Sequence, residues 1–436
     1  MAASESRGHL RLVRDPEPLG SYIRPLERDF RLIEDLLAVR RSIGTGLILD
    51  ARDPSRSAEL RDLARESGIE VCLDPNAVEL STPSGFERSR ISSLPWAGNG
   101  VDSPESLARR MESFTSTIAT TAVDMRVDSV LVPTHFLDSF PSQWFDLDLR
   151  LTRALRASLN EVPLGRSIRL HYPLVSRLVE LTKEPVRQRV IAALRQLAVE
   201  GSIDAIFMRM HGFGTTTSGR LTLRRYVRVA RDLHKVGLPI VGERTGTIGL
   251  ALLALGCVSG IESGVTHGDR CDIRSLQRPP KKDAKGFAPA PRVYLPAIGV
   301  FLNRDPARQF FGAPGIKNWF ACQAECCKNG HVDMIADPRR HFLVTRSNEV
   351  NHIGVVPMEI RSENYLNKWL RPASDRAIRA ARVLPDLSKH RDRLDAWRET
   401  VSEIIYAEDR SRRPSVAPIL KSVVSSEKSS GTVLTR

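Results

Sequence analysis

A closed eight-stranded β/α barrel is the fold class this sequence predicts, and three observations point to it. Strand-like runs alternate with helix-like ones from about residue 21 almost to residue 400. The strand-like runs are continuously apolar rather than alternating, which suits strands covered on both faces. No GxGxxG follows the first of them and no GxxxxGK[ST] occurs anywhere, which counts against the open doubly wound sheet as the alternative. The chain has 436 residues, 41% hydrophobic and 27% charged. That is enough to fill one large core, or one core with a small satellite, and it excludes a disulfide miniprotein, a collagen-like chain and a wholly disordered one.

The elements follow in order. TGLILDARD (45–53) is a short apolar run ending in acids, and SAELRDLARESG (57–68) has helical spacing and a closing Gly. IEVCLDPN (69–76) is the next strand, followed by a polar loop to about 103 and a helix over 104–125. VDSVLVPTHF (127–136), SIRLHYPLV (167–175) and IDAIFMRMHGFG (203–214) repeat the pattern, with helices near 148–158, 186–199 and 222–236. LPIVGERTG (238–246), GIESGV (260–265) and RVYLPAIGVFL (292–302) complete eight strands. The expected organisation is a loose arm over 1–20 and a barrel over 21–320 with a basic insertion at 270–292. A metal-binding segment with closing helices covers 321–405, and a disordered tail covers 411–436. The insertion carries seven basic and two acidic residues with four prolines; it is either a solvated loop or a clamp for a polyanion. The tail has seven serines, five basic residues and one acid.

Lys and Arg number 65 against 51 Asp and Glu, a formal charge of +14. This favours a polyanionic partner, nucleic acid before membrane, because no amphipathic basic helix stands out. No run of about 18 apolar residues offers a membrane span, and the start lacks the apolar stretch of a signal peptide. Six cysteines in a chain this long make a poor disulfide framework, so the expected compartment is the reducing cytoplasm.

In such a barrel, chemistry collects at the C-terminal ends of the strands. Those ends read Asp50 and Asp53, Asp74, His135, His171, Arg209 and His211, Glu243 and Arg244, then Glu262. Carboxylates from several strands would share one basin, where two of them act as nucleophile and acid/base if their surroundings separate their pKa values. His135, Arg209, His211, Glu243 and Arg244 would hold the substrate. Asp50, Asp53 and Asp138 are better read as turn residues, and Asp74 before Pro75 also carries a turn signal. His171 can equally be a partly buried histidine bonded to backbone. His211 lies in MRMHGFGTTTSG, whose glycines and hydroxyls suit an oxygen-rich ligand or plain flexibility.

FACQAECCKNGH places Cys322, Cys326 and Cys327 within six residues, with His331 close behind and His341 and His352 downstream. Three thiolates and one imidazole make a closed tetrahedral zinc site. Adjacent Cys326 and Cys327 do not readily both take ideal positions on one ion, so one is a potential bystander; three buried thiols packed as small hydrophobes are the alternative.

The cysteine cluster and the strands before it resemble the tRNA-guanine transglycosylase superfamily, a barrel with a late zinc subdomain held by Cys-x-Cys-x-x-Cys and a distant His. Cys322 and Cys327 fit the first and third cysteines, and His352 falls within a residue of the expected histidine. Ala324 stands at the middle position, with Cys326 next door. HFLVTRSNEVNHI (341–353) looks like the helix after the family's metal knuckle, around Glu349. PIVGERTGTIGLALLALGCVSGIESGVTHGDR (239–270) can be laid along the stretch that carries the family's aspartate nucleophile, with Glu262 in its place. Asp74 matches by position the aspartate of an Asp-Ser-Gly-Gly motif, although the glycines are missing. The likeness covers about residues 45–355. It implies base exchange in a polynucleotide, tRNA or DNA, with guanine replaced by a 7-deazaguanine. Glu262 would be the nucleophile and Asp74 the proton shuttle, with structural zinc on Cys322, Cys326, Cys327 and His352. Lys281, Lys282 and Lys285 in the basic insertion would meet phosphates. The rivals are a barrel lyase or aldolase acting on a small anion, and a nucleic-acid-binding subunit that has lost catalysis. The sequence leaves room for an oligomer.

Overall fold

The computed structural model describes residues 19–52, 54–87, 91–279 and 290–412. Eight parallel strands close into a barrel: β1 (Gly20–Arg24), β2 (Gly46–Asp50), β3 (Glu70–Asp74), β4 (Ser129–Leu131), β5 (Arg169–Arg177), β6 (Ala205–His211), β7 (Ile240–Gly242) and β8 (Gly260–Gly264). They pair in chain order, and β1 closes on β8 with Tyr22 opposite Glu262 and Arg24 opposite Gly264. The predicted class is therefore the observed one, with one exchange of strand. GSYIR, assigned in part to the N-terminal arm, is the first stave, whereas 292–302 forms an antiparallel hairpin outside the barrel, β9 (Val293–Leu295) with β10 (Val300–Leu302).

The two-residue period of a strand divides each stave between two environments. One set, Leu47, Leu49, Val71, Leu73, Val130, Ile206, Met208 and Ile261, packs under the surrounding helices. The other fills the barrel, where Ile48, Cys72, Leu131, Phe207 and Val241 form an apolar middle layer with Tyr22 against it. Continuing the second parity toward the C-terminal ends gives Arg24, Asp50, Asp74, Arg209, Glu243 and Glu262, so the middle layer is the floor of a charged mouth.

Helices between the staves bury one stripe each. Arg220–Leu233 turns Leu223, Tyr226, Val227, Ala230 and Leu233 inward at helical spacing. Pro104–Arg109 begins on Ser103, whose hydroxyl accepts from the Ser106 amide at 3.2 Å, with Pro104 in the first turn where its missing N–H costs nothing. After β8 the chain builds a helical layer against the barrel, and one apolar core runs continuously from Ile23 to Ile405. Trp397 of the last helix, Ser388–Arg412, donates its indole N–H to the Ser218 carbonyl at 2.7 Å. Among the described residues, no helix is long and apolar enough to cross a membrane.

Candidate active site at the barrel mouth

Arg24 is the centre of the mouth. Its guanidinium pairs with Asp74 of β3, with Glu243 just past β7 at 3.2 Å, and with Glu262 of β8 at 3.2 Å. Side chains of Glu243 and Glu262 are only 1% exposed, and Arg24 covers them at 18%. A second arginine, Arg209 of β6, donates to Glu79 at 3.2 Å and lies 3.7 Å from Glu243. Four carboxylates thus share two guanidiniums. Asp74, Glu243 and Glu262 all bond one planar guanidinium, which gathers the three carboxylates into one cluster.

The surroundings pull these acids apart. Burial opposes the Asp74 charge, but Arg24, the Asn76 amide at 2.8 Å and Arg209 outweigh it and hold the carboxyl below its usual range. Burial pushes Glu243 up, and neighbouring Glu262 adds to that, against the pull of Arg209 and Arg24. Glu262 accepts from Arg24 Nε and, through its other oxygen, from the Arg244 backbone N–H at 2.8 Å. Arg244 reaches this position at φ +53°, a left-handed conformation that costs a non-glycine residue free energy. Three buried polar atoms here, Glu243 Oε2, Glu79 Oε2 and Arg209 Nε, have no hydrogen-bond partner among the described residues.

Other predicted residues fall elsewhere. Asp74 is also the turn residue its Pro75 signalled, since its second oxygen caps the Asn76 amide. Asp50 accepts from Arg52, and Asp138 pairs with Arg274, as turn and surface acids do; Asp53 lies outside the described residues. His135 is 1% exposed, bonded through Nδ1 to Asp148 at 2.6 Å and stacked on Trp144 at 3.9 Å, so it fixes the loop after β4. His171 lies at the opposite end of the barrel, where its Nε2 meets Glu70 at 2.7 Å rather than backbone. Glu70 also accepts from Ser129 and Tyr22; burial is outweighed by His171, Ser129 and Arg169, which lower its pKa to about 2. His211 stands on the rim, with Nδ1 accepting from the Ile273 amide at 3.2 Å and burial lowering its pKa. Lys281, Lys282 and Lys285 lie outside the described residues. Sequence reading missed Arg24 and Glu79. The signal for Arg24 was the alternation Tyr22–Ile23–Arg24 ahead of a helix-like run, too short to register as a strand.

The metal cluster corrects one predicted ligand. Cys322, Cys326, Cys327 and His341 bring their donor atoms within 4.8 Å of one another. Cys326 and Cys327 Sγ are 3.6 Å apart, and His341 Nδ1 lies 3.2 Å from Cys327 and 3.9 Å from Cys326. A tetrahedral ion with bonds near 2.3 Å to sulfur and 2.0 Å to nitrogen separates its ligands by about 3.5–3.8 Å. The donor set fits such an ion, and the adjacent cysteines both face it because Glu325–Cys327 is one tight helical turn. His352 sits on the same helix as His341, Pro338–Gly354, but eleven residues further, about 16 Å at 1.5 Å per residue. It lines a separate cavity of about 260 Å³ with Glu349 and Trp369. His341 Nε2 donates to the Tyr294 carbonyl at 2.9 Å, which orients the ring for metal binding.

No family model and no curated protein matches the chain. Solved structures similar to it include the N-terminal endo-1,4-β-D-xylanase 10B CBM22-1–GH10 modules of Clostridium thermocellum, at 9% identity and TM-score 0.36 over 57% of this chain and 58% of that one. Native xylanase10C from Cellvibrio japonicus gives 11% and 0.37 over 61% and 65%. An HpcH/HpaI aldolase from Desulfitobacterium hafniense gives 12% and 0.31 over 60% and 89%. The chain therefore spans less than two thirds of the length of either xylanase.

Proposed function

We propose that the protein is an enzyme that exchanges a base in a polynucleotide, tRNA or DNA, by retaining glycosyl transfer at the barrel mouth, with a 7-deazaguanine replacing guanine. The observation that carries this reading is the convergence of Asp74, Glu243 and Glu262, from three strands, on Arg24, with Asp74 and Glu243 driven in opposite pKa directions. Glu262, oriented by Arg24 and the Arg244 N–H, attacks the anomeric carbon as the bond to the leaving base breaks. Glu243 donates its proton to that base. The entering base then displaces the ester, gives a proton to Glu243 and restores Glu262. The shuttle role first assigned to Asp74 passes to Glu243, because a carboxyl below its usual range is a poor proton donor at neutral pH. Asp74 instead fixes Arg24. The target base must be unstacked to reach Glu262, at a cost of a few kcal/mol that phosphate contacts offset. Four carboxylates against two arginines disfavour a small anion at this mouth, which weighs against the lyase reading. We further propose that the ion on Cys322, Cys326, Cys327 and His341 is zinc in a structural role.

The test is release of labelled guanine from tRNA and from duplex DNA. Glu262→Gln should lower release at least 100-fold while leaving oligonucleotide affinity within about twofold, the amide being nearly isosteric but not nucleophilic. Undiminished release by that variant overturns the assignment.

A further inference from the structure

We propose that a pocket of about 210 Å³ on the C-terminal rim binds a phosphate group, and that it seats a phosphodiester beside the nucleotide that enters the mouth. The second half rests on the base-exchange reading; the first does not. Arg177 ends β5, His211 ends β6, and Arg274 follows β8 on the short helix Arg274–Gln277, so three loops of the C-terminal face meet here. Thr222 and Arg225 come from the first turns of Arg220–Leu233, a helix of 14 residues.

The chemistry is anionic in preference. Gly219 at the start of that helix has no side chain with which to cap it, and Thr222 of the first turn lines the pocket. Arg177 and Arg274 share one carboxylate, Asp138, at 3.8 and 2.9 Å. Arg225 is exposed and has no ion pair among the described residues. A second carboxylate, Asp272, lies 4.0 Å from His211 and pairs with Arg270, so three pocket guanidiniums against two carboxylates still leave a surplus of positive charge, which planar forked donors direct to tetrahedral oxyanions. His211 supports this. Its Nδ1 accepts from the Ile273 amide, so the ring proton sits on Nε2 and is available to donate. The mouth alongside is rich in carboxylates, so a polyanion settles with its charge on the rim and an uncharged base over Glu262.

The experiment uses the full chain with Arg225→Ala and Arg274→Ala combined, both exposed side chains, and a control with Arg308→Ala and Arg391→Ala. Two probes are titrated: inorganic phosphate, followed by phosphorus NMR line broadening, and a single-stranded oligonucleotide at several salt concentrations. The wild type and the control should broaden the phosphate line, and the rim variant should not. Oligonucleotide affinity should fall about tenfold in the rim variant, and its log–log salt slope should flatten by about 0.7 per lost phosphate contact. Phosphate binding lost with oligonucleotide binding unchanged keeps the site but makes a small phosphorylated molecule its source. Equal broadening by wild type and rim variant, no broadening by wild type, or equal loss in the control overturns the proposal. Guanine release is read in parallel. Its absence alongside a working phosphate site removes the chemistry and leaves the rim, whereas intact release with phosphate and oligonucleotide binding both unchanged in the rim variant removes the rim.

Discussion

Arg24 neutralises acids contributed by three strands, so its effect on the fold and on the mouth can be separated by pH. Replacing it with Gln leaves Asp74, Glu243 and Glu262 buried together without their shared cation. Removing one partner of a buried pair costs about 3–5 kcal/mol. Without the pull of Arg24 the Asp74 and Glu243 pKa values rise in the folded state, which destabilises it at neutral pH and spares it as pH falls below them. Thermal unfolding of Arg24→Gln should therefore show a large deficit at pH 7.5 that shrinks by pH 5; a deficit independent of pH would mean the arginine acts only through packing. Glu70 has the opposite sign. Its folded pKa of about 2 lies below the unfolded value near 4.3, so the stability it contributes is complete above pH 4.3 and is lost as pH falls toward 2. Glu70→Gln should be less stable than wild type at pH 7 by about 2–3 kcal/mol, with the two denaturation midpoints converging near pH 2.

The hairpin β9–β10 shows how an element outside the barrel serves its two ends. The Tyr294 carbonyl orients His341, and its hydroxyl donates to Glu349 at 2.9 Å. Its turn needs Gly299, at φ +65°, because a Cβ there would lie 2.5 Å from Thr247 in the loop after β7. From the metal helix, Arg346 also donates to Thr247 at 3.3 Å. Metal loss should thus be felt beyond the knuckle. Cys327→Ser should bind less than a tenth of the about one zinc per chain expected by elemental analysis, and should lower the unfolding temperature. Fully folded, metal-free protein prepared without chelator would refute the site. The same element marks the limit of sequence reading. Strands β2 to β8 were legible because burial on both faces makes them continuous apolar runs. VYL and VFL look identical by composition, and only long-range pairing reveals a hairpin, while GSYIR alternates and is too short to stand out. The three cysteines were legible as a cluster. Their histidine was not, since His341 and His352 share a helix and only the fold decides which end meets Cys327.

Across the whole molecule, charge is sorted rather than uniform. The formal charge is +14, yet the barrel mouth holds more acids than bases, and arginines such as Arg177, Arg225 and Arg274 stand around it. That division suits a ligand whose backbone is anionic and whose reacting part is not. Arg270 and Arg274, in the described first part of the basic insertion, lie by this rim, and Arg292, tied to Asp269 at 3.2 Å and stacked over Phe301, ends it. Lys281, Lys282 and Lys285 fall between these residues in sequence, outside the described ones. If they meet phosphates, changing all three to Ala should weaken tRNA and DNA binding alike and without regard to sequence. The slope of log affinity against log salt should flatten by up to about 2–3, at 0.7–0.9 per contact. Guanine release at saturating polynucleotide should stay within about twofold of wild type, because these lysines act on capture and not on the anomeric carbon. Filter binding from 50 to 300 mM salt would read the slope, and an unchanged slope would take the insertion out of the interface and leave capture to the arginines of the rim.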